Sequence, residues 1–150
     1  MGTEYYKIGD VRRNSPAVAD PFETTLAASA LVLGGVLERH PRLRLLLVHG
    51  GGYFPLASGR LDHGWRVRAE AQTVAEPPSA FLGRFAYDTL LYDDGLLAAL
   101  AARVGTERLL LGTDYPFDME PPDPVAQIRR LFSGEAEAVL GENARRFFRL

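Results

Sequence analysis

The sequence predicts an α/β fold that forms part of a larger parallel sheet, and three observations predict it. Two short apolar runs, residues 44–48 and 108–111, are ended by Gly50-Gly51-Gly52 and by Gly112 and read as strands covered on both faces. Helical stretches alternate with these runs and with a weaker strand at residues 85–88, giving the order helix, strand, helix, strand, helix, strand, helix. That alternation belongs to parallel sheets with crossover helices. Finally, 150 residues supply only three strands, whereas a closed barrel needs eight strands and ~250 residues. A doubly wound sheet usually has five or six.

Residues 1–20 are expected to form an irregular lead-in, with Asn14-Ser15-Pro16 as a turn signal. The first helix is expected to start at Asp20 as N-cap, with Pro21 at its first position and Glu23 completing a capping box. Its apolar face would hold Leu26, Ala30, Leu33 and Leu37, and it would stop before Pro41. The first strand then leads to His49-Gly50-Gly51-Gly52. Further helices are predicted at 54–71, 94–104 and 124–132, with a closing turn or helix at 141–150.

Composition narrows the classes of function. Seventeen Lys and Arg against nineteen Asp and Glu leave a net charge of −2, so no overall basic field exists to hold nucleic acid or an anionic membrane. The absence of cysteine excludes disulfides, thiolate nucleophiles, zinc fingers and iron–sulfur clusters, leaving His and carboxylate as the metal ligands. No apolar run approaches a membrane span or a signal-peptide core, and the expected location is the cytoplasm.

In α/β proteins chemistry sits beyond the carboxyl ends of strands, and here His49, Asp88 and Asp114 follow the three strands. His49 reads either as a base or ligand beside a loop of free N–H groups or as a buried histidine satisfied by backbone. Asp114, in Gly112-Thr113-Asp114-Tyr115-Pro116-Phe117, reads as a metal ligand or proton acceptor, or as a turn-capping residue. Asp88 is expected to orient a loop or cap the next segment. Arg60 and His63 lie three apart and share a helix face. The histidine and its glycines are no lipase oxyanion loop, for no G-x-S-x-G accompanies them. Nor are they a dinucleotide fingerprint, because Pro55 stands where the third glycine belongs.

Taken together, Pro21-Phe22-Glu23-Thr24-Thr25, Gly34-Gly35-Val36-Leu37-Glu38-Arg39, His49-Gly50-Gly51-Gly52, Gly59-Arg60-Leu61-Asp62-His63-Gly64 and Gly112-Thr113-Asp114-Tyr115-Pro116-Phe117 resemble the amidohydrolase-related family. Within it they are similar to the aminocarboxymuconate-semialdehyde decarboxylase branch, over residues 21–150. The resemblance implies the carboxyl-terminal portion of a (β/α)₈ TIM barrel and a divalent metal cofactor, zinc in many members. It makes Asp114 a metal ligand, His49 the catalytic acid/base, and Arg60 a substrate-carboxylate-binding residue reaching across a homodimer, a task suited to a guanidinium's parallel donors.

The family's His-x-His pair and further histidine ligand lie upstream of the matched part, and His40, His49 and His63 do not reproduce them. Two readings follow. One is a portion of a metal-dependent decarboxylase or hydrolase acting on small carboxylated substrates, with upstream residues deciding between carbon–carbon cleavage and hydrolysis. The other is a noncatalytic truncated fragment or interaction module that keeps the fold without a complete metal site. Either way, strand edges and apolar helix faces call for a partner, a second copy or the missing amino-terminal half.

Overall fold

Leu45–Leu47 (β1), Phe85–Asp88 (β2) and Leu109–Leu110 (β3) form one sheet in the order β1-β2-β3, all parallel. Leu45 pairs with Phe85 and Tyr87 with Leu109. The computed structural model describes residues 15–150. Its helices are Ser15–Leu33 (α1), Val36–Arg39 (α2), Phe54–Val67 (α3), Asp94–Val104 (α4), Pro124–Leu131 (α5) and Asn143–Phe148 (α6). None of these is long and apolar enough to cross a membrane.

The core lies between the sheet and its helices. Phe85 meets Phe54 of α3 edge to face at 5.8 Å and packs against Tyr87 at 6.4 Å, geometries that suit the ring quadrupoles. The Tyr87 hydroxyl donates to the Leu82 carbonyl at 2.9 Å, which satisfies the one polar atom of this buried ring. β2 is buried at all four positions and β3 at both, whereas Leu45 and Leu46 of β1 are only half-buried. The expectation that the first strand is covered on both faces therefore fails, because among the described residues β1 is an edge strand with no neighbour on one side. β3's outer edge is met by the carboxyl-terminal segment, where Leu111 N–H donates to the Val139 carbonyl at 3.1 Å.

α1 departs from expectation in two ways. It already runs through Ser15–Asp20 and carries Pro21 inside it, so Asp20 is no cap, and Ser15 and Pro16 are helical rather than part of a turn. Residues 1–14 lie outside the described residues. The buried face of α1 is also not the leucine face: Thr25, Ala28 and Val32 are buried, while Leu26 is 52% exposed. The reason is close approach. A Cβ on Gly52 would lie 2.2 Å from the Pro21 carbonyl oxygen, so α1 presses on the glycine loop and only small side chains fit between them. After Gly34 and the left-handed Gly35 (φ 66°) the chain turns, and Leu37 enters the core.

α3 ends at Val67, before the expected 71, because Arg68 is extended and Ala69–Ala71 forms a separate turn. α4 and α5 begin at Asp93 and Asp123, whose carboxylates accept the N–H of Leu96 and Ala126 at 2.8 and 2.9 Å. Each such cap is worth about 1 kcal/mol.

Candidate active site

Just past β1, His49, Gly50, Gly51 and Gly52 all have positive φ, at 56°, 58°, 82° and 63°. Glycine adopts such backbone without the strain that His49 carries, and space enforces the choice at two positions: a Cβ on Gly51 would come within 2.9 Å of the Tyr87 ring, and one on Gly50 within 2.7 Å of Leu91. The loop does not present free N–H groups, contrary to the sequence-based expectation. The N–H groups of Gly51 and Gly52 donate to the carbonyls of Val48 and His49, and those of His49 and Gly50 are taken by Asp88. The glycines let the loop pack inward rather than let a ligand approach.

Asp88, the last residue of β2, clamps this loop. Its Oδ2 accepts the His49 N–H at 2.9 Å, and its Oδ1 accepts the N–H groups of Gly50 at 2.7 Å and Leu90 at 3.1 Å. Burial, at 4% exposure, pushes its pKa above the ordinary carboxylate value, opposed by the donors from Gly50, Leu90 and His49. Asp88 thus orients two loops at once. The His49 ring is fixed from another side, its Nδ1 lying 3.2 Å from the Thr24 hydroxyl of α1.

Asp114 follows β3 in left-handed backbone, φ 58°. His49 and Asp114 line one cleft of about 700 Å³ at the carboxyl ends of the strands, together with Tyr92, Asp20, Asp118 and Met119. The strands that carry the pair are separated by β2. Tyr92 is a residue that sequence reasoning missed. It too has positive φ, 55°, and its phenol is shifted upward first by burial, then by the negative charges of Asp114 and Asp88. Of the four described non-glycine residues with positive φ, His49, Tyr92 and Asp114 meet in this cleft, and Arg149 does not. Such backbone costs of order 1–3 kcal/mol per residue and clusters at functional sites.

Arg60 is placed elsewhere. It is exposed on α3 and lines, with His63, Leu26 and Leu33, a second groove of about 580 Å³ between α1 and α3. The leucines that turned away from the core form the apolar wall of this groove. As for metal, among the described residues no three His, Asp or Glu side chains stand where they could hold one ion. The cleft offers carboxylates and an imidazole, which are suitable donor types, but not a complete set.

The amidohydrolase family profile matches residues 10–150. A 2-amino-3-carboxymuconate-6-semialdehyde decarboxylase of Dictyostelium discoideum is 36% identical over 138 residues, which cover 89% of this chain and 38% of that protein. Among solved structures, the 5-carboxyvanillate decarboxylase LigW of Sphingomonas paucimobilis superposes with a TM-score of 0.76 at 30% identity, over 87% of this chain and 41% of that one. A dihydroxybenzoic acid decarboxylase of Polaromonas sp. JS666, solved with bound manganese and the inhibitor 2-nitroresorcinol, shares the fold with a TM-score of 0.76 at 19% identity, over 97% of this chain and 48% of that one. The chain spans less than half the length of these relatives, and its three strands are part of a (β/α)₈ barrel.

Proposed function

Because the chain belongs to the amidohydrolase family, we propose that it supplies the carboxyl-terminal part of the active site of a metal-dependent decarboxylase acting on a small carboxylated substrate. The observation that carries this reading is the meeting of His49, Tyr92 and Asp114, all in strained backbone, in one cleft at the carboxyl ends of parallel strands. The relatives named above bear the names of decarboxylases of carboxylated muconate or aromatic compounds.

His49 is the proton donor. Loss of carbon dioxide leaves the bonding electron pair on the carbon that carried the carboxylate, and the imidazole delivers a proton to that carbon. The form that gives up the proton is the imidazolium: with its Nδ1–H directed at the Thr24 hydroxyl, the Nε2 proton is the one delivered, and the ring is left neutral. Asp114 provides one carboxylate ligand; the remaining ligands come from outside the described residues. The divalent ion, zinc by family resemblance or manganese as in the Polaromonas protein, supplies Lewis acidity when bound. Arg60 lines a different groove and not this cleft, so in this reading it holds the substrate carboxylate in the site of a second subunit.

A second reading, a noncatalytic module, is favoured by the absence of three converging ligands among the described residues. The coding sequence immediately upstream separates the two. If it continues in frame into a His-x-His strand, the extended polypeptide should bind a divalent ion and release carbon dioxide from a carboxylated aromatic acid such as 5-carboxyvanillate. His49→Gln should then lower kcat by about 10²–10⁴-fold with little change in KM, and Asp114→Asn should lose the ion. A stop codon in that place, or full activity in His49→Gln, would count against the decarboxylase reading.

A further inference from the structure

The amino ends of the strands carry a second constellation that the proposed site does not use. Arg44, Arg84 and Arg108 stand immediately before β1, β2 and β3. Because the strands are parallel, the topology gathers all three arginines at the end of the sheet opposite His49 and Asp114. Arg146 joins them from α6. The four arginines line one pocket of about 220 Å³, where Glu107 is the sole carboxylate among the described residues.

These are positioned groups rather than loose surface side chains. Arg44 Nη1 donates to the Arg146 carbonyl at 2.9 Å and to the Phe147 carbonyl. Arg84 donates through Nη1 to the Leu37 carbonyl at 3.2 Å and through Nη2 to the Pro41 carbonyl at 2.9 Å. Arg146 donates to Asn143 Oδ1, and Asn143, 2% exposed, is fixed by donating to the carbonyls of Thr106 and Leu109 at 2.9 and 2.8 Å. Neutral acceptors, backbone carbonyls for Arg44 and Arg84 and an amide oxygen for Arg146, hold three of the guanidiniums in place without neutralising them. Each guanidinium has five N–H donors, so donors and positive charge both remain available.

We infer that this pocket binds a phosphate group, as the free ion or as a monoester. Four cations from four separate segments around one small pocket suit an anion whose oxygens point in several directions. A planar carboxylate, by contrast, is satisfied by a single guanidinium fork. The surplus of positive charge matches a dianion.

The test is titration of the isotopically labelled chain with inorganic phosphate, glycerol phosphate, acetate and chloride at one ionic strength, which removes general screening. Phosphate or its ester should bind saturably and more tightly than acetate or chloride. The amide shifts should be confined to residues 44–45, 84–86, 107–110 and 143–147, and the tighter of the two phosphates identifies the source. Arg108→Gln, which leaves the carbonyl contacts of Arg44 and Arg84 intact, should weaken binding about tenfold, the loss of one charge-assisted hydrogen bond. Should that variant not fold, the shift map of the unaltered chain decides alone. Shifts centred on residues 49–52 would overturn the assignment, as would unchanged affinity in folded Arg108→Gln. Equal affinity for acetate would overturn the choice of phosphate and give the cluster to carboxylate side chains of another polypeptide segment.

Discussion

At their carboxyl ends the three strands run into strained backbone, and after the first two a carboxylate collects its N–H groups; at their amino ends they begin at arginines, two of which collect carbonyls. One end uses Asp88 to gather the donors of His49, Gly50 and Leu90. The other uses Arg44 and Arg84 to gather the acceptors of residues 146, 147, 37 and 41, with Asn143 fixing α6 to β3. The difference follows from chain direction. Loops leaving a parallel sheet carry the variable chemistry, whereas segments entering it must tie the ends of preceding helices to the next strand.

The comparison breaks first at Asp88. Asp88→Ala would leave three N–H groups without their acceptor, two of them in the His49 loop, and should cost about 3 kcal/mol or more in urea unfolding. A loss below about 1 kcal/mol would mean that the loop holds its shape without the clamp. At the other end, Asn143→Ala should cost about 2 kcal/mol and release α6. Its effect should appear in amide exchange of residues 106–110 before that of residues 49–52. Equal early exchange at both ends would show that they unfold as one unit.

The smallest effect concerns charge in the cleft. Tyr92 titrates above an ordinary tyrosine because of burial first and the Asp114 charge second. Asp114→Asn removes that negative charge and should lower the Tyr92 pKa, read as the phenolate absorbance that Tyr92→Phe abolishes. No movement would separate the two side chains and weaken the case for a shared cleft.

How much of this was legible in the sequence depends on which force fixes each element. Phe85–Asp88 and Asp94–Val104 are found where they were expected, since apolar run and N-cap are local signals. α1 was misjudged because Pro21, a good starting residue, sits inside a helix whose packing face is chosen by the glycine loop against it, a contact distant in sequence. His49 and Asp114 announced themselves by following strands. Tyr92 did not, since its backbone φ comes from the turn after β2, and no periodicity records it. The purpose of the glycines was also hidden: the pattern showed special backbone, but their N–H partners lie within the loop and on β2.

The Asp88 clamp has a mechanical consequence. His49 follows β1, an edge strand that is half-open, yet its backbone is tethered to the buried central strand. Bending or slippage of the exposed edge is therefore decoupled from the imidazole's position. Whatever joins β1's open side can seat itself with some tolerance, while the His49 loop keeps its position from the buried central strand.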